Sequence, residues 1–213
     1  MRKAVFIDPG HGGIDPGCPL GKTEKYYNLG VARELQKMLI SQGFEAEMSR
    51  HGDQSVSLKE RCQMANAYFQ GHGGIFVSIH HNASPSSPAH GIETFYHHGS
   101  ANGWKLAENI ITGARVSLWE YDHNIRGSKE GNLYVLKHTK APAVLVECEF
   151  LTHDQRRLWI EKHEQQWFRH MAKVIFDGIK LYYNNVKYST FGSSASLGAG
   201  SKGQGARVFK EKD

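Results

Sequence analysis

The chain has 213 residues, 39% hydrophobic and 22% charged, which suits one globular domain with a sizeable core and contains no apolar run near the roughly 20 residues that span a bilayer. Residues 185–213 hold five Lys/Arg against Glu211 and Asp213 and so carry +3 of the +5 net charge, leaving no basic footprint of the nucleic-acid-binding kind on the rest. Cys18, Cys62 and Cys148 are odd in number, far apart and without a CxxC pair, which excludes a disulfide framework and a cysteine-rich zinc knuckle.

In chain order, Val5-Phe6-Ile7 reads as a buried strand over about residues 3–8, stopped by Asp8-Pro9-Gly10 with His11 at the centre of the turn. Thr23 is placed to cap a helix with Glu24 in its first turn. Tyr27, Val31, Leu35, Met38 and Leu39 recur at 3–4-residue spacing, so this helix runs to about Gln42 and stops at Gly43. Phe44 to Ser49 is expected to be a strand, and Ser57 to cap a helix over Leu58 to Phe69. Gly74 to His80 is apolar on both faces, as central strands are, and it also ends in a histidine.

Gly91 to Tyr96 is expected as the next strand and Trp104 to Ser117 as a helix, with residues 119–132 polar and irregular. Leu133 to Leu136 reads as a short strand, and Pro142 to Val146 as a buried one that ends on Glu147. Asp154 opens a helical turn, and an amphipathic helix carries Trp167, Met171, Val174, Ile175 and Ile179 to about Tyr183. Strands alternating with helices predict an α/β fold: a twisted, mostly parallel mixed sheet of about six strands with helices on both faces. The expected organisation is one catalytic domain over residues 1–184 and a flexible, Gly/Ser-rich basic tail over 185–213.

Three strands or turns end on His11, His80 and Glu147, and open α/β sheets bring strand ends to one edge. Glu24, at the first helical turn after the His11 loop, falls near the same edge. Two histidines and one carboxylate make a catalytic zinc site with a position left for water, and a second carboxylate is then needed as the base. Spacing leaves open which glutamate is which. It implies only metal-assisted amide hydrolysis.

At these residues the chain resembles the zinc-dependent N-acetylmuramoyl-L-alanine amidases of the type-3 class. The matching segments are Ile7-Asp8-Pro9-Gly10-His11-Gly12-Gly13, Glu24-Lys25 with Asn28-Leu29, and Ser78-Ile79-His80-His81-Asn82-Ala83. They continue with Gly91-Ile92-Glu93-Thr94-Phe95-Tyr96, then Val135-Leu136-Lys137-His138-Thr139, which leads to Pro142 through Glu147, all in the family's order. The resemblance implies one zinc per chain on His11, Glu24 and His80, and Glu147 as the catalytic base. It implies cleavage of the amide joining N-acetylmuramic acid to L-alanine in peptidoglycan, with Asn82 and Arg126 as candidate substrate-binding residues. A zinc peptidase acting on the stem peptide and a catalytically silent wall-binding module are the alternatives.

Three residues depart from the family's pattern. His81 follows the ligand histidine, and on a continuing strand it must face away from His80. Glu149 and His153 replace small or amide residues, and on a regular strand Glu149 would share a face with Glu147 and raise its pKa by like-charge repulsion. Cys148 should face away from Glu147, into the core. Met1-Arg2-Lys3 leads straight into a strand with no signal-peptide pattern. The expectation is therefore a monomer made in the cytoplasm and acting on the wall as a phage lysin, or a trimmed secreted autolysin domain, with an open, ungated site.

Overall fold

The apolar strand runs lie side by side at the centre of one six-stranded sheet, seen in a computed structural model that describes residues 3–85, 88–117 and 124–189, the side chains of 186–189 excepted. In chain order the elements are β1 (Ala4–Pro9), α1 (Glu24–Ser41), β2 (Glu45–Met48), α2 (Leu58–Tyr68), β3 (Ile75–Asn82) and β4 (Ile92–Tyr96). They continue as α3 (Ala101–Val116), β5 (Ile125–Glu130), α4 (Tyr134–His138), β6 (Ala143–Phe150), α5 (Asp154–Lys162) and α6 (Glu164–Ser189). The strand order is β2-β1-β3-β6-β4-β5. Every neighbouring pair is parallel except β4 with β6.

Alternation along the strands divides the core in two. Val5, Ile7, Val77, Ile79, Val144, Val146 and Cys148 pack under α1, α3 and α6. Phe6, Phe76, Ala143 and Leu145 face α2 and α4 with Cys62, Ala65, Val135 and Leu136. Cys148 therefore faces the core, away from Glu147. The Tyr183 hydroxyl donates to the Ala4 carbonyl at 2.7 Å and ties the last helix to the first strand.

Several local expectations are corrected. The fifth strand is Ile125–Glu130, not Leu133 to Leu136. As an edge strand pairing only with β4, it buries neither face, so its sequence carries no apolar alternation. Leu133 to Leu136 belongs instead to the turn of α4. Val135 and Leu136 are adjacent and both buried, which a strand with alternating faces does not allow. α3 begins three residues before Trp104, because Ser100 Oγ accepts from the Gly103 N–H at 3.2 Å and caps it there. Thr23 makes no side-chain cap to α1; the Glu24 N–H bonds the Cys18 carbonyl at 2.9 Å. Ser57 does cap α2, in a reciprocal box with Glu60. α6 continues to Ser189, so the segment read as tail starts as helix, and residues 190–213 lie outside the described residues.

Candidate metal centre and active site

β1 and β3 are parallel neighbours, and their C-terminal ends deliver His11 and His80 to the same place. Their rings lie 4.9 Å apart, edge to face. The loop after β1 returns through Gly17 to α1, whose first residue is Glu24. Glu24 Oε1 stands 3.1 Å from His11 Nε2 and 3.1 Å from His80 Nδ1. One ligand atom from each of the three residues falls within 4.8 Å of the others.

Donors around a tetrahedral zinc at its usual bond lengths stand about 3.4 Å apart, so this set fits such an ion in both type and spacing. His11 and His80 keep 25% and 18% of their side-chain surface, whereas Glu24 is buried at the floor. Burial alone would raise the Glu24 carboxyl, but hydrogen bonds from His11 and His80 hold it well below the usual carboxylate range. Burial would lower His11, yet Glu24 and Asp15 carry it above its ordinary value.

The surroundings fix these three side chains. His11 Nδ1 lies 2.8 Å from Asp15 Oδ2, so a proton shared there leaves Nε2 turned towards Glu24 and a metal. His11 itself has φ +59°, a conformation that costs an L-residue energy and persists only under constraint. The constraint is a pair of buried arginines. Arg50 donates to the carbonyls of Pro9 (3.0 Å) and Gly10 (2.9 Å), and Arg61 to those of Pro9 (2.7 Å) and His11 (2.8 Å). Asp8 balances them, taking Arg61 Nη1 at 2.6 Å along with the hydroxyls of Ser49 (2.6 Å) and Ser78 (2.8 Å). Burial and the neighbouring Arg61 charge push the Arg50 guanidinium down to about 10.

No larger residue fits at Gly10 or Gly17. A Cβ on Gly10 would meet the His80 ring at 2.2 Å, and one on Gly17 would meet Glu24 Oε2 at 2.4 Å.

β3 does not end at His80, and His81 faces the other side of the sheet. Trp167 Nε1, which can only donate, points at His81 Nε2 at 3.0 Å, so the proton sits on Nδ1 and is given to Asn28 Oδ1 at 2.8 Å. Burial pushes His81 down to about 3 and keeps it neutral. Asn28 then donates to Glu24 Oε1 at 3.3 Å. A core chain from Trp167 thus reaches the carboxylate of the triad from behind.

Glu147 pairs in register with His80 on one side and Glu93 on the other. The three side chains form a row across β3, β6 and β4. Glu147 keeps part of its surface, but its Oε2 is buried and, among the described residues, has no hydrogen-bond partner. Burial first, then the charges of Glu24 and Glu93, raise its pKa well above the usual carboxylate range.

Glu149 is not part of this. Between His80 and Asn82 the register shifts, with Asn82 opposite Phe150, so β6 carries an extra residue. Glu149 Oε1 accepts instead from the Gly91 N–H and from the Phe150 N–H at 2.9 Å. The same-face expectation fails because a bulge interrupts the alternation. His153 is also elsewhere, accepting from the Arg156 N–H at the start of α5.

Asn82 and Arg126 both reach Glu93, with Asn82 Nδ2 donating to Oε1 at 2.8 Å and Arg126 Nε to Oε2 at 2.6 Å. On the other flank a cleft of about 520 Å³ runs from His11 and His80 past Ile14, Leu58, Leu133 and Tyr134. The sequence reading singled out neither Arg50, Arg61 nor the pairing of Glu93 with Lys129. An aspartate closing an apolar strand is the one local sign that buried cations are needed.

The sequence model of the N-acetylmuramoyl-L-alanine amidase family matches residues 5–181. The chain is 36% identical over 188 residues to N-acetylmuramoyl-L-alanine amidase LytC of Bacillus subtilis, covering 86% of this chain and 36% of that protein. It is 33% identical to the probable cell wall amidase LytH of Staphylococcus aureus, covering 85% of this chain and 59% of that protein. The chain therefore spans only part of the length of either relative.

Among solved structures, an N-acetylmuramoyl-L-alanine amidase from Clostridium difficile 630 superposes with a TM-score of 0.76 at 34% identity, covering 86% of this chain and 97% of that one. AmiC2 of Nostoc punctiforme gives a TM-score of 0.77 at 29% identity, covering 86% of this chain and 98% of that one. With a family match over most of its length and the same six-stranded α/β architecture, this chain belongs to the N-acetylmuramoyl-L-alanine amidase family.

Proposed function

We propose that the domain hydrolyses the amide bond between N-acetylmuramic acid and L-alanine in peptidoglycan, with one zinc ion held by His11, Glu24 and His80. The observation that carries this is the register of His80 with Glu147, which sets a carboxylate whose buried Oε2 has no hydrogen-bond partner among the described residues beside a two-histidine, one-carboxylate triad. Zinc bound there supplies Lewis acidity to the scissile carbonyl and to water.

Glu147 holds the proton in transit. Its raised proton affinity suits a group that takes a proton from water and returns it to the departing amine of L-alanine. Asp15 and the Trp167–His81–Asn28 chain keep His11 and Glu24 oriented while this happens. Asn82 at the end of β3 and Arg126 on β5, both bonded to Glu93, bind the peptide, and the cleft past Tyr134 leaves room for the glycan.

The test is digestion of purified sacculi by the zinc-loaded protein, followed by mass analysis. An amidase frees the amino group of L-alanine and leaves glycan strands intact. Cuts inside the stem would instead make it a peptidase, and retention on the wall without release a binding module. Glu147→Gln should lower turnover about 10²- to 10⁴-fold while keeping the zinc, and His80→Ala should lose the zinc. Turnover by the Gln variant at the parental rate would remove Glu147 from the mechanism.

A further inference from the structure

Beyond Glu147 the row of side chains continues into a second cluster, centred on Glu93. Glu93 is 3% exposed and stands directly opposite Glu147 across the β6–β4 pair. Its Oε1 takes Asn82, and its Oε2 takes two cations, Arg126 Nε and Lys129 Nζ, each at 2.6 Å. One buried carboxylate with two cations leaves a surplus positive charge at the sheet edge. Both cations reach solvent, with 30% of the Arg126 side chain and 41% of Lys129 exposed.

Arg126 commits only Nε to Glu93. Among the described residues its two outer nitrogens have no hydrogen-bond partner, and the guanidinium lies 4.8 Å above the Phe150 ring. A guanidinium held over an aromatic ring and fixed through Nε alone keeps its two outer nitrogens for two-point contact with a carboxylate.

We propose that Glu93, Arg126 and Lys129 form a receptor for a free carboxylate on the peptide side of the scissile bond. The domain then prefers stem peptides in which the residue after L-alanine keeps its α-carboxylate over those in which it is amidated. This inference rests on the amidase reading.

The reach agrees. Two residues of extended peptide span about 7 Å. Adjacent strands are about 4.8 Å apart, so β5 lies roughly 10 Å from Glu147, and the heads of Arg126 and Lys129 are drawn back from it to Glu93 on β4. Glu93 is a positioning residue here. It fixes two long side chains that would otherwise lose rotamer freedom on binding.

The test compares kcat/KM of the zinc-loaded protein on two purified muropeptides that differ only in that group, α-carboxylate against α-carboxamide. The free acid should be favoured about 10- to 100-fold, mainly through KM, as expected for a charge-assisted pair. Arg126→Gln combined with Lys129→Gln should bring the ratio close to one, and Arg126→Lys should retain part of it. A cluster with a merely structural role would slow both substrates alike and leave the ratio untouched. A ratio of one in the parent, or an unchanged ratio in the double variant, overturns the proposal while leaving the amidase reading intact. Failure to cut either muropeptide removes both.

Discussion

The molecule builds one motif twice, a buried carboxylate facing two cations, and uses the two copies in opposite ways. In the first, Asp8 meets Arg61, with Arg50 alongside, and all three are at most 4% exposed. Their donors go to the carbonyls of Pro9, Gly10 and His11, so the cluster shapes the loop that presents His11. In the second, Glu93 is as buried as Asp8, but its cations stand at the edge of the sheet with donors left over. A cation whose hydrogen bonds end on backbone is scaffold, whereas one held by a single bond and open to water is placed for a ligand. The difference follows from position: β1 is covered by neighbours on both sides, whereas β5 is an edge strand.

This contrast can be broken most directly at Arg61. Arg61→Met strands the Asp8 charge in the core and frees the Pro9 and His11 carbonyls. The expected loss is about 3–5 kcal/mol of stability, together with a fall in zinc affinity. Thermal unfolding should show a midpoint lower by roughly 10 °C. A midpoint within about 2 °C of the parent would mean that the Asp8 cluster does not support the fold. Arg61→Lys should fall between the two, because an ammonium cannot reach the Asp8 carboxylate and both carbonyls as the guanidinium fork does.

Glu93→Gln should be milder, at about 1 kcal/mol. Its cations can turn to solvent, and exposure discounts the ion pairs it loses. If Glu93→Gln proves as destabilising as Arg61→Met, the distinction between scaffold and presentation fails.

What the sequence disclosed follows the same line between covered and edge positions. His80 and Glu147 could be picked out because each follows an apolar run in a covered strand, where a polar residue needs a reason, and His11 because it stands in the turn just after another such run. Glu24 had no such mark. A carboxylate in a first helical turn suits the helix dipole, and only its resemblance to a family motif gave it a role. β5 could not be read, since Ile125–Glu130 is half wet on both faces and has no periodicity. The bulge that turns Glu149 away from Glu147 is equally silent, because an extra residue leaves no compositional trace in an otherwise apolar strand. Arg50 looks like an ordinary polar residue after a strand and Arg61 like one near a helix start; only their convergence on three consecutive carbonyls, 40 to 52 positions away, gives them meaning.

The smallest effect is the most discriminating one. Lys129 donates to Glu93 at 2.6 Å, passes 5.8 Å above the Phe95 ring and is 41% exposed. Exposed ion pairs of this kind contribute about 0.5 kcal/mol or less, and salt screens what they do contribute. Lys129→Ala should therefore leave the unfolding midpoint within about 2 °C of the parent. Raising salt from low to molar concentration should then shift the parent slightly more than the variant. Glu93 keeps Asn82 and Arg126 in the variant, so the carboxylate is not orphaned, and the penalty that makes Arg61→Met severe does not arise. A large drop in midpoint for Lys129→Ala would place Lys129 with the scaffold cations. It would also remove the reason for regarding the β5 edge as a surface that waits for a ligand.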